Sequence, residues 1–208
     1  MIKNVFSKNY IEVNSPNELQ KFDGDSKKIP YLICQTIKGK DLTGLKYEQI
    51  WEESPAPVDN PENAFRVIAG DFVTTDGGTG IVHTAPTFGM DDYRVALNAT
   101  PPVPALLCFD DKGNKVPLVD LQGKFVDKIG RLSAKFVKNE YYPDGKYPEK
   151  SVDVEIAIKL KEDNLAFRVE KYTHSYPHCW RTDKPILYYP MESWFIKVSD
   201  YKEKMFDL

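Results

Sequence analysis

The middle third of the chain alternates short apolar runs with glycine, aspartate and proline, a rhythm that admits short strands joined by turns but no long parallel sheet. The expected fold is mixed α/β, with a small or barrel-like β-sheet and helices at its periphery. Three helices are predicted by local signals. Ser15-Pro16-Asn17-Glu18 combines a serine N-cap, a proline at the first helical position and a glutamate that closes a capping box, with a short helix to about Phe22. Across 151–163, Val152, Ile156 and Leu160 share one stripe, and Glu155 stands four residues before Lys159. Strand-like runs cover 31–37, 45–50 and 166–172. The runs 64–75 and 79–84 flank Asp76-Gly77-Gly78 and read as a hairpin. Asp91 and Asp92 mark the start of a helix through Asn98, because acidic side chains suit the positive end of a helix dipole.

A chain of 208 residues, 41% of them hydrophobic, is long enough to bury a core as one domain or one domain plus a tail. A net charge of -3 and a pI near 5.7 argue against wholesale coating of nucleic acid, which usually leaves a basic footprint. The best local phosphate candidates are Lys124, Lys128, Arg131, Lys135 and Lys138, for which a solvated face is the safer reading. Cys34, Cys108 and Cys179 lie far apart without a C-x-x-C pair, so no disulfide framework is expected and the setting reads as reducing and cytoplasmic. No run approaches the ~18 apolar residues that span a bilayer. His174, His178 and Cys179 lack the fourth ligand of a structural zinc site, so no metal is expected. Tyr172, Tyr176, Trp180, Tyr188, Tyr189, Trp194 and Phe195 read as packing surface more than as a base-stacking platform.

The informative stretch is Gly78-Thr79-Gly80-Ile81-Val82-His83-Thr84-Ala85-Pro86-Thr87-Phe88-Gly89-Met90-Asp91-Asp92-Tyr93. It puts a histidine near a strand end and a carboxylate pair at the start of the next helix, with glycines that let a ligand approach the backbone. Helix-starting aspartates are commonly caps, and a lone histidine there is commonly structural. Three readings stay open on the residues: a hydrolytic site, a binding module without turnover, and a hydrolase using Asp91 and Asp92 as a carboxylate pair or metal site.

This stretch resembles the signature G-T-G-x-V-H-x-A-P-x-x-G-x-D-D-Y of the editing domain of isoleucyl-tRNA synthetases. A second likeness lies at Tyr176-Pro177-His178-Cys179-Trp180-Arg181 and Ser193-Trp194-Phe195-Ile196, similar to the return of that family's chain into its catalytic core. Gly70-Asp71-Phe72-Val73-Thr74-Thr75 and Asp120-Leu121-Gln122-Gly123-Lys124-Phe125 extend the resemblance along the chain. It implies a β-barrel-like editing domain of the class I synthetases over residues 1–172, and a segment, 173–208, that packs on a core outside this sequence. It implies hydrolysis of valyl-tRNA(Ile), with the tRNA acceptor end and the rest of the synthetase as partners. Asp92 would bind the substrate's α-ammonium, Asp91 would cap the helix or stand behind Asp92, and His83 would line the pocket. Gly80, Thr84, Ala85, Pro86, Phe88 and Gly89 would complete the substrate-binding surface, with His83 and Asp92 facing a common cleft. The family's ATP motifs, His-Ile-Gly-His and Lys-Met-Ser-Lys-Ser, are missing, so no cofactor is expected here; ATP and magnesium would belong to the parent's catalytic core. The family's threonine-rich strand, Trp-Thr-Thr-Thr-Pro-Trp-Thr, is missing too. The resemblance places it before Met1 and implies that this chain alone edits weakly or not at all.

Overall fold

Two Asp-x-x-Gly-x turns of the same design organise the centre of the chain. In the computed structural model, which describes residues 9–24, 27–74, 79–171 and 173–206, strand β3 (Leu107–Phe109) pairs antiparallel with β4 (Lys115–Pro117). Between them one Asp110 oxygen accepts the amides of Lys112 at 2.9 Å and Asn114 at 2.7 Å, and Gly113 takes φ +81°. Ten residues on, one Asp120 oxygen accepts the amides of Gln122 at 2.8 Å and Lys124 at 2.9 Å. Gly123 there takes φ +77°, and a Cβ would meet the Tyr141 ring at 2.6 Å, so both conformation and space require glycine. The second turn brings Val119 opposite Phe125, and Lys124 opposite Phe136.

These turns deliver Cys108 and Leu118 to the core, where Ile129, Leu132 and Val152 join them and Trp51, Phe125 and Ile156 pack from the flanks. The helix Val152–Glu162 closes the core from one side. Its N-cap Ser151 accepts the Val154 amide at 3.4 Å, and Val152 and Ile156 face inward as their spacing predicts. The expected Glu155–Lys159 pair does not form. Glu155 instead reaches across to Lys135, and Lys159 pairs with Asp163 one turn on. Glu53 clamps the 129–132 turn. Its carboxylate accepts the Arg131 amide and the Arg131 Nε, each at 2.7 Å, beside Gly130, where φ is +57° and a Cβ would collide with the carboxylate.

At the N-terminal side β1 (Tyr10–Glu12) and β2 (Ile29–Tyr31) pair in parallel, flanking the helix Pro16–Gln20. The capping signal places that helix correctly, but the Ser15 hydroxyl bonds the Glu18 carboxylate at 3.0 Å and not a backbone amide. The fold is mixed α/β, and among the described residues the sheets are two-stranded and no barrel closes.

Several strand expectations fail for one reason: a β-prone run becomes a strand only where a partner backbone lies alongside. The 31–37 run leaves its ladder at Tyr31, and 166–171 forms no strand; Tyr172 lies outside the described residues. Thr75-Asp76-Gly77-Gly78 lies outside them too, and the described residues of the flanking runs form no ladder with each other. The first arm pairs elsewhere. Tyr47 donates to the Phe65 carbonyl at 2.9 Å, Val67 to that of Leu45 at 2.8 Å, and Gly44 to that of Val67 at 2.8 Å, so the expected 45–50 strand survives only as a bridge between Lys46 and Arg66.

The segment from 176 to 189 is pinned to the body: the Tyr141 hydroxyl donates to the Pro185 carbonyl at 2.8 Å, and the Tyr189 hydroxyl to that of Val119 at 2.9 Å. Most side chains of this part nevertheless remain exposed, Trp180 and Tyr188 among them. Beyond it, Met191, Trp194, Phe195 and Ile196 are exposed. No helix among the described residues is long and apolar enough to cross a membrane.

Leu132, 2% exposed at the centre of the core, is the side chain whose truncation should matter most. Leu132→Ala is expected to lower unfolding free energy by about 2–5 kcal/mol in urea denaturation; a change within error would contradict this core assignment. Glu53 supplies a pH test. The Arg131 amide and then its guanidinium hold the Glu53 carboxyl below its ordinary 4.5. The folded protein therefore favours the ionised form, so its contribution is complete above the unfolded value and is lost as pH falls through the lower, folded one. The stability gap between wild type and Glu53→Gln should be constant near pH 7 and should shrink below about pH 4; a gap that persists into acid would refute the clamp.

Candidate functional site

The signature stretch turns on itself between Ala85 and Gly89, where the Ala85 carbonyl accepts the amides of Phe88 and Gly89, both at 3.1 Å. Gly89 is the N-cap of the helix Met90–Asn98, with extended backbone at φ -96° and ψ 130° and no side chain to cap with. Asp92 leaves the helix uncapped and braces the turn before it. From the first turn of the helix its Oδ2 reaches back to the Ala85 amide at 3.0 Å. Oδ1 has no hydrogen-bond partner among the described residues, and Asp92 is half-buried. Asp91, the other half of the pair, points to solvent and lies 3.7 Å from Arg94 along the helix. The two carboxylates thus have different environments: one is built into the turn and the other is on the surface.

Of the other expected site residues, Ala85, Pro86, Phe88 and Gly89 are half-buried and gathered by the turn, and Thr84 is half-buried just before it. Gly80 takes φ +69° next to Thr79, whose hydroxyl accepts the Ile81 amide at 3.2 Å and donates to the Ile81 carbonyl at 3.0 Å. His83 is exposed, belongs to no strand, and has no hydrogen-bond partner among the described residues. Two depressions, of about 390 and about 450 Å3, lie elsewhere: the first is bordered by Asp110, Asp120 and Lys128, the second by Tyr142, Tyr147 and Lys184. Neither is bordered by His83 or Asp92.

Two supporting residues escape sequence reasoning. Thr87, 8% exposed, accepts the Leu106 amide at 3.0 Å and donates to the Leu106 carbonyl at 3.3 Å, which fastens the signature turn to the segment entering β3. Tyr189, its hydroxyl held on Val119, places its ring 6.0 Å from that of Phe88 and so ties the signature turn to the chain between the two parts of the second likeness. Thr87 falls at a variable position of the signature, and only the pairing of its hydroxyl with a distant backbone reveals its job.

Most of the basic residues considered for phosphate are already engaged. Arg131 binds Glu53 and Lys135 binds Glu155, while Lys124 stands 5.0 Å over the Phe136 ring and Lys138 5.4 Å over that of Tyr176. His178 Nδ1 lies 2.8 Å from the Tyr176 carbonyl. The Thr182 hydroxyl, together with the amides of Arg181 and Thr182, holds the Cys179 thiol below its usual value. Among the described residues no cluster of three or more His, Cys, Asp and Glu could hold a metal ion.

No family model matches the chain. Individual relatives do. The isoleucine–tRNA ligase of Cytophaga hutchinsonii is 48% identical over 219 aligned positions, covering 100% of this chain and 19% of the relative. The isoleucine–tRNA ligase of Porphyromonas gingivalis is 47% identical over 88% of this chain and 17% of its own length. That of Clostridium tetani is 36% identical over 95% of this chain and 17% of its own. The chain therefore spans less than a fifth of the length of these relatives.

Thr87→Val keeps the shape of the side chain but leaves the Leu106 amide and carbonyl unpaired, and is expected to cost about 1–3 kcal/mol in chemical denaturation. Thr87→Ser keeps the hydroxyl and should lie nearer wild type; equal losses from the two variants would show that packing, and not hydrogen bonding, holds the turn.

Proposed function

Because the chain belongs with the isoleucine–tRNA ligases, matching one segment of theirs along its length, we propose that it carries their editing site and hydrolyses valine wrongly esterified to tRNA(Ile). The need for such a site is energetic. One methylene distinguishes substrates in an apolar pocket by only ~1–3 kcal/mol, a general limit for which isoleucine against valine is the standard illustration. A second site that admits the smaller side chain and destroys its ester removes the errors the first lets through.

The observation that carries this reading is the Asp92 carboxylate, held at a helix start by the Ala85 amide, with its second oxygen unpartnered among the described residues. An aminoacyl ester presents an α-ammonium, and a charge-assisted hydrogen bond from it to Oδ1 would orient the acyl group over the 85–89 turn. In the reaction a water oxygen attacks the ester carbonyl, the acyl–oxygen bond breaks, and the ribose hydroxyl leaves with a proton that originates from the water. His83, exposed beside the turn, is placed in the role of bounding the valine side chain. The partners in this reading are the acceptor end of the tRNA and the remainder of the synthetase. ATP and magnesium serve that remainder.

Asp92 has a structural bond as well as a proposed substrate bond, so the informative variant is Asp92→Asn, whose carbonyl oxygen can still accept the Ala85 amide while the charge is gone. In a full-length synthetase carrying this segment, Asp92→Asn should reduce valyl-tRNA(Ile) deacylation at least ~10-fold, as the loss of a charged hydrogen bond implies. His83→Ala should instead open the pocket and begin hydrolysis of correctly charged isoleucyl-tRNA(Ile). Undiminished deacylation by Asp92→Asn would overturn the site, and unchanged selectivity in His83→Ala would remove His83 from it.

A further inference from the structure

Gly89 lies at the junction of turn and helix with a backbone conformation that any residue adopts, φ -96° and ψ 130°. Conformation therefore gives no reason for glycine here, and in such a place alanine ordinarily stabilises by narrowing the unfolded ensemble. Space gives the reason. A Cβ built on Gly89 would lie 2.5 Å from Asp92 Oδ2, 2.9 Å from its Cγ and 3.1 Å from its Cβ. Turning the Asp92 side chain would clear the first two contacts, but Oδ2 would then leave the Ala85 amide that it meets at 3.0 Å. The third contact would remain whatever the rotamer. The carboxylate is thus wedged between the Ala85 N–H and the bare Cα of Gly89, and its orientation is set by both.

We propose that Gly89 is a positioning residue for Asp92: its missing side chain lets one carboxylate oxygen seat on the Ala85 amide and thereby aims the other at the substrate's ammonium group. The inference rests on the reading of Asp92 as the ammonium anchor and adds what makes that anchor rigid. Sub-ångström placement matters for such a group, because a displacement of ~1 Å in a positioned contact can cost up to ~100-fold in rate.

The test is a double-mutant cycle in a full-length synthetase carrying this segment, with Gly89→Ala made on the wild-type and Asp92→Ala backgrounds. Valyl-tRNA(Ile) deacylation and the thermal midpoint are read for each protein. On the wild-type background Gly89→Ala should lower kcat/KM at least ~10-fold, mostly through KM, and should lower the midpoint. On the Asp92→Ala background the Cβ meets no carboxylate and only the 3.1 Å contact with the Cβ at position 92 remains, so the same substitution should change kcat/KM less than ~2-fold and lower the midpoint by less than it does on the wild-type background. The midpoint cycle reads the wedge even if one variant is too unstable to assay. Equal effects on both backgrounds, or wild-type deacylation by Gly89→Ala, would overturn the positioning role while leaving the anchor intact. Undiminished deacylation by Asp92→Asn would fell the anchor, and the proposal with it.

Discussion

A carboxylate oxygen accepting backbone amides is the interaction on which the rest of this structure depends. Glycine, proline and aspartate break the chain too often for long ladders, and the strands among the described residues are three residues each. Backbone donors between them need other acceptors. Asp110 and Asp120 each take two amides in their turns, Glu53 takes that of Arg131, and Asp92 takes that of Ala85. Beside three of these carboxylates stands a glycine that could not be another residue without strain or collision, namely Gly113, Gly123 and Gly130, and beside the fourth stands Gly89. The acidic residues that make the net charge negative are in this respect internal fittings of the fold.

What the sequence made legible was whatever it encodes within a few residues. The helix starts at Ser15, at Asp91 and Asp92, and at Ser151 are signalled by residues next to each helix, and all three helices are present, though only Ser151 makes a side-chain cap. Strand identity depends on a partner far along the chain, and there local reading failed. The 64–75 run is as β-prone as expected, yet it meets 44–47 and not the stretch beyond Gly78. Charge pairs behaved likewise: Glu155 had a suitable lysine one turn away and bonded Lys135 across the core edge instead.

The candidate site divides along the same line. That Asp92 sits in the first turn of a helix follows from its neighbours, but that its Oδ2 is committed to Ala85 follows only from the fold of the turn between them. Thr87 was invisible because its partner, Leu106, lies nineteen positions away. The contact between Phe88 and Tyr189 joins residues about a hundred positions apart, which no local reading could reveal.

Backbone amides held by side-chain carboxylates have a further consequence for how this protein would look in solution. In hydrogen–deuterium exchange, slow amides are customarily assigned to helices and sheets. Here the amides of Ala85, Lys112 and Gln122 belong to neither, yet each has an anionic acceptor. They would exchange at the pace at which a side chain lets go, one rotamer at a time, and not with any unravelling of secondary structure. A protection map of this chain would therefore trace its aspartates as much as its helices.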